Sequence, residues 1–230
     1  TWVVSWIIAV FWLGGSWEWT GLVRLQGAER VFYTVAMATL MFLLAFGGTE
    51  QSWAYPITMI SVGWWMLSLM ILLRLPRHIP LALVGALGPL VLVPSWFLLS
   101  YFHQGFVQGA ELIMSLVLIV WATDVGAFLI GSLWGKVRLA PRVSPGKTWE
   151  GVIGGIALAG LVSLGASIML DVPRGLFIAI GISTAISSVV GDLTISLFKR
   201  NVSMKDSGRL LPGHGGILDR IDSLTAAAPI

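Results

Sequence analysis

The chain has 230 residues, of which 57% are hydrophobic and only 11% charged. A water-soluble domain carries about 25% charged residues, so this chain has too little polar surface to cover a globule, and the bilayer is the solvent for most of it. Disulfide and thiol chemistry are excluded because there is no cysteine. The formal net charge of +3 comes from basic residues placed between apolar runs, which points to membrane topology and anionic phosphates and away from nucleic acid.

Apolar runs near the ~20 residues of a spanning helix cover residues 1–15, 31–48, 53–73, 79–102, 112–134, 151–170 and 175–198, and an eighth begins at 223. The expectation is an all-α, polytopic transmembrane helical bundle of seven to nine helices. It is a single integral-membrane domain over 1–230 that lacks part of its first and last helices. A signal peptide is a poor reading of the first run, which has no basic stretch before it and no small-residue cleavage site. All of the 14 lysines and arginines except Arg174 fall after the first, third, fifth or seventh run. The positive-inside rule makes that side cytoplasmic. Trp2, Trp17, Trp19, Trp53, Trp96 and Trp134 lie near run ends and are expected to anchor at the interface.

Two acids fall inside apolar runs: Asp124 in the fifth and Asp192 in the seventh. A carboxylate at a helix centre costs about 2.5–3.5 kcal/mol on insertion scales, so it usually faces a cavity, a partner or an ion. Asp192, Ser196 and Lys199 share one helical face directed at the cytoplasmic mouth. A structural ion pair or a buried neutral acid would also explain such residues.

The polar stretch 135–150 contains Ser144, Lys147 and Glu150. Gly146-Lys147-Thr148 resembles the end of a phosphate-binding P-loop, but Pro141 stands where that pattern needs glycine, so the motif is rejected. Lys147 remains a phosphate ligand in this reading, and Glu150 either pairs with it or begins the next helix. Gly151, Gly154 and Gly155 suit close helix packing.

The stretch 199–222 is denser still. Gly213, Gly215 and Gly216 around His214 leave backbone amides free to approach an anion. Asp219 and Asp222 are three apart and share a face if helical. With a third carboxylate from another helix they suit Mg²⁺, which takes oxygen ligands and lets phosphates complete its shell. Lys199, Arg200, Lys205 and Arg209 add positive charge. These parts point to a membrane enzyme that handles phosphorylated substrates with a divalent metal at its cytoplasmic face. An ion-coupled transporter is the rival, disfavoured because the polar residues gather at one mouth and no internal repeat is visible.

The pattern Ser196-x2-Lys199-Arg200-x4-Lys205-Asp206-x-Gly208-x2-Leu211-Pro212-x-His214-Gly215-Gly216-x2-Asp219-Arg220-x-Asp222 resembles the phosphatidate cytidylyltransferase (CDP-diacylglycerol synthase) family. Trp121-Ala-Thr-Asp124, the 144–151 stretch, Gly191-Asp192-Leu193 and Trp17-Glu18-Trp19 are similar to it in the same order, and 112–222 carries most of the signal. The resemblance implies transfer of the cytidylyl group of CTP to phosphatidate, giving CDP-diacylglycerol and pyrophosphate for phospholipid synthesis. It also implies Mg²⁺, with K⁺ beside it in some members. Asp192, Asp219 and Asp222 would hold metal, with Asp124 as a further candidate. Lys147, Lys199, Arg200, Lys205, Asp206 and His214 would serve catalysis. Ser144, Ser196, Gly215, Gly216 and Arg220 would join Lys147, Lys199 and Arg200 in substrate binding. The expected setting is a bacterial cytoplasmic (inner) membrane, among membrane lipids, with the site facing the cytoplasm and no nucleic-acid partner. A homodimer is the candidate assembly. A CDP-archaeol-type synthase remains an alternative on the same fold.

Overall fold

The computed structural model describes residues 2–46, 50–74, 78–211, 213 and 215–230. Eight helices follow the apolar runs: α1 (Trp2–Leu22), α2 (Gly27–Phe46), α3 (Glu50–Arg74), α4 (Leu81–Gly105), α5 (Gly109–Trp134), α6 (Trp149–Met169), α7 (Arg174–Asn201) and α8 (Leu218–Ala227). Between α5 and α6 lies a short antiparallel hairpin, β1 (Arg138–Ala140) with β2 (Ser144–Thr148). Among the described residues six helices, α2 to α7, are long and apolar enough to cross a membrane, and the chain is an integral membrane protein. The first run was expected to be a short span. It is a 21-residue helix that falls outside those six, its apolar character diluted by tryptophans, glycines and Glu18.

Local sequence sets the boundaries. Pro80 and Pro173 stand at the N-caps of α4 and α7, where a residue without an N–H and with φ fixed near the helical value costs nothing. Thr148 caps α6, its hydroxyl accepting from Gly151 N at 3.2 Å. Pro89 and Pro94 lie within α4, as membrane helices allow when neighbours re-satisfy the freed carbonyls.

α4 is the most buried of the six and forms the centre of the bundle. Val84, Val91, Leu92 and Leu98 on α4 pack with Trp12, Trp19, Leu22 and Phe198 from α1 and α7. Trp12 Nε1 donates to Ser95 Oγ at 2.7 Å, and Trp19 Nε1 to the Val84 carbonyl at 3.0 Å. Trp19 and Trp96 are therefore core residues, not interfacial anchors, because both are buried inside the bundle. Trp53 and Trp134 are exposed, as anchoring requires, and Trp17 stacks under Arg30 at 4.0 Å. The Trp2 side chain lies outside the described residues.

α5 and α6 pack most extensively. The glycines at the start of α6 make this possible: a side chain on Gly155 would meet the Thr123 carbonyl oxygen at 2.5 Å. Ile119, Ala159 and Ala185 close a small core among α5, α6 and α7. Large apolar side chains such as Phe32, Phe42, Ile153 and Leu161 point outward, the face a lipid solvent requires.

The connections that the basic residues place on one side do meet at one end of the bundle. Asn201, closing α7, exchanges two hydrogen bonds with Ile79 ahead of α4, at 2.9 and 2.8 Å. Arg200 reaches the hairpin, and Glu18 of α1 reaches the start of α8.

Candidate active site

The site forms where α5, α7, α8 and the hairpin converge. Asp124 and Asp192 sit ten and nine residues before the ends of α5 and α7, so the two helices carry them at a similar depth, about 14–15 Å along their axes. Gly191 brings α7 onto α8: a side chain there would lie 2.7 Å from the Asp222 carbonyl oxygen. Asp192 and Asp222 become electrostatic neighbours through that contact, within reach of Lys147 and Lys199. Asp124 in turn feels Lys147 and Asp192.

Charge pairing organises these groups. Lys147, held out by β2, forms an ion pair with Asp192, and Ser196 Oγ donates to the other Asp192 oxygen at 3.1 Å. The helical face read from Asp192, Ser196 and Lys199 is therefore real. Lys199 Nζ lies 2.7 Å from Asp219 Oδ1. Asp219 Oδ2 accepts from Ser207 N at 2.9 Å and Gly216 N at 3.1 Å. Burial pushes the Asp219 carboxyl up, but the Lys199 hydrogen bond and the two amides outweigh it and hold it below its ordinary value. Asp222, on a helix outside the six spans, has the opposite setting. Burial and then the nearby Asp192 charge raise it well above the usual range. Its Oδ1 accepts only from Ser223 N, at 2.8 Å, among the described residues.

A cavity of about 250 Å³ opens here. It is lined by Asp124, Asp219, Arg220 and Asp222 and by the apolar Val120 and Trp121 of α5. A neighbouring basin of about 590 Å³ is lined by Lys205, Asp206, Arg209 and Gly215 among others, and its charged side chains are exposed.

Several residues expected at the site have other employment. Arg200 spends its guanidinium on the carbonyls of Val143 and Met204, at 3.1 and 3.2 Å, tying the hairpin to the end of α7. Gly216 gives its amide to Asp219, so that amide is not open to an anion. Glu150 begins α6 and accepts from Val137 N; it does not pair with Lys147. Ser144 opens β2, half-buried. His214 lies outside the described residues. Among the described residues no three carboxylate or imidazole side chains are gathered as a ready-made metal site. The donor set that fits a hard cation is the close Asp192–Asp222 pair, to which substrate oxygens would have to be added.

One participant has no site role in the sequence reading, where it stands only within the Trp17-Glu18-Trp19 resemblance. Glu18 is 1% exposed and accepts from Leu218 N at 2.8 Å and Ser207 Oγ at 3.1 Å. Besides that resemblance, its signal in the sequence is an acid just beyond an apolar run.

The profile of the Cytidylyltransferase family matches residues 1–230. A protein of Pseudomonas aeruginosa named phosphatidate cytidylyltransferase is 39% identical over 94% of this chain and 81% of its own length. One of the same name from Haemophilus influenzae is 36% identical over 94% of this chain and 83% of its own. A Staphylococcus aureus protein, again of that name, is 43% identical over 56% of this chain and 51% of its own. The ion-coupled transporter and the archaeal-lipid alternative are not favoured by these relatives. The chain belongs to the cytidylyltransferase family.

Proposed function

We propose that the protein is a phosphatidate cytidylyltransferase of a bacterial inner membrane, working at the cytoplasmic end of its bundle. The observation that carries this reading is the similarity to two proteins of that name across 94% of the chain. The meeting of acids and lysines from α7, α8 and the hairpin supports it.

The phosphate of phosphatidate is largely ionised near pH 7, since such second pKa values fall near 6. One of its oxygens attacks the α-phosphorus of CTP, and the bond from that phosphorus to the bridging oxygen breaks, releasing pyrophosphate. No strong general base is needed. The barrier is repulsion between two polyanions, so positioning and charge neutralisation supply most of the catalysis. Lys147 and Lys199 turn from Asp192 and Asp219 toward phosphate oxygens as the substrates enter. Asp192 and Asp222 are the residues that would hold Mg²⁺. When bound, Mg²⁺ neutralises the charge that develops on the transferring and leaving groups. Asp219, whose oxygens are taken by Lys199 and two amides, shapes the loop instead of ligating the ion. The exposed Trp121 beside these acids suits a lipid that keeps its tails in the leaflet while its phosphate reaches them. Lys205 and Arg209 in the adjoining basin face water, the side from which CTP arrives.

The test is to supply detergent-purified protein with CTP and phosphatidate and identify the products by mass spectrometry. CDP-diacylglycerol and pyrophosphate in equal amounts support the reading. Pyrophosphate without the nucleotide lipid, or neither product, overturns it.

A further inference from the structure

We propose that Glu18 is a positioning residue, which fixes from α1 the loop and helix start that carry the site; the proposal rests on the cytidylyltransferase reading above. Glu18 stands 189 positions before Ser207 in the chain, on a helix that supplies none of the described residues lining the cavity. Its carboxylate is nonetheless enclosed by the site loop. Ser207 Oγ donates to Oε2 at 3.1 Å, Leu218 N to the same oxygen at 2.8 Å, and Leu210 N to Oε1 at 3.4 Å. Gly208 and Gly216 lie so close that a side chain on either would collide with the carboxylate.

No lysine or arginine pairs with Glu18 among the described residues, whose ion pairs are Lys147–Asp192 and Lys199–Asp219. Its contacts are all donors from one loop, and a carboxylate is an acceptor only, so it satisfies them without competition. A buried acid surrounded by donors from a distant segment holds that segment in one arrangement. Here the segment runs from Ser207, whose amide also binds Asp219, to Leu218, the first residue of α8. The first turn of α8 carries Asp219, and Asp222 follows three residues on. Glu18 thus sets the start of α8, and through it the height of Asp222 against Asp192.

The experiment compares wild type, Glu18→Gln and Ser207→Ala in detergent, with kcat and KM normalised to folded protein and amide exchange followed over 205–220. Glutamine keeps the shape but replaces one acceptor with an NH₂ group that opposes the loop donors. The expected result is a fall in kcat of about 100-fold for Glu18→Gln, the scale of a small misplacement at a reacting centre. KM for CTP should move little, and exchange over 205–220 should quicken. Ser207→Ala should fall in the same direction by less, and the double variant should be no worse than Glu18→Gln alone. Ser95→Ala, which breaks a buried bond of α1 to α4, should leave kcat per folded molecule unchanged. Should Glu18→Gln fail to fold, Ser207→Ala carries the same question. Wild-type kcat per folded molecule in both variants, or unaltered exchange over 205–220, overturns the proposal. If the wild type makes no nucleotide lipid, the functional reading fails, and the exchange comparison still decides the role of Glu18.

Discussion

Lys199 and Asp219, on separate helices, are joined at 2.7 Å, and the same aspartate caps two amides of the loop between them. One side chain thus fastens the end of α7, the loop and the start of α8. Because Asp219 is held below its ordinary value of 3.8, its contribution to stability is present above that value and is lost as pH falls through the folded-state value. The Asp219 contribution should appear as a drop in the wild-type thermal midpoint below pH 4. Asp219→Asn should start lower at pH 7 and lose less on acidification; parallel acid limbs for the two proteins would contradict this.

Asp222 has the reverse sign. Its folded-state value lies above 3.8 through burial and Asp192, so stability is lost as pH rises from that value through the folded one. Asp222→Asn should therefore raise the thermal midpoint of the Mg²⁺-free protein at pH 7–8 by about 2–4 °C, while cytidylyl transfer falls at least about 100-fold. Scanning calorimetry and the product assay check the two halves separately.

Lys147 pairs with Asp192 and is proposed to bind a substrate phosphate. Lys147→Met should lower kcat/KM for CTP or phosphatidate by roughly 10- to 100-fold, the value of a charge-assisted hydrogen bond. Steady-state kinetics with each substrate varied in turn would show it. Unchanged values for both remove Lys147 from the site.

Gly155 meets the Thr123 backbone, which cannot step aside as a side chain could. Gly155→Val should separate α5 from α6 and cost roughly 1–3 kcal/mol, in the range of overpacked cores. Denaturant titration in mixed micelles measures it, and a change within error would mean the helices part easily.

The sequence made the helices legible because apolar runs and basic loops alternate, and lipid demands both. The glycines of α6 were readable as a packing seam for the same reason. The hairpin was not, since Pro145 and Gly146 within its five-residue second strand read as loop. Arg200 and Gly216 looked like phosphate ligands from their chemistry, yet the fold spends their donors on its own carbonyls and carboxylate. Glu18 entered only within the Trp17-Glu18-Trp19 resemblance and without a role, because its partners lie at the far end of the chain and no spacing rule connects α1 to residue 218. Asp219 and Asp222 share the cavity as their spacing suggested, but Lys199 and the two amides claim the first.

Asp192 and Asp222, from different helices, are the proposed holders of the cation. The direct measurement is the Mg²⁺ dependence of transfer from α-³²P-labelled CTP into lipid, for wild type and Asp222→Asn after treatment with EDTA. The account predicts no labelled lipid from wild type without Mg²⁺, recovery when it is restored, and little recovery in the variant at any concentration. Full transfer by the EDTA-treated wild type, or the same Mg²⁺ dependence in both proteins, would contradict it.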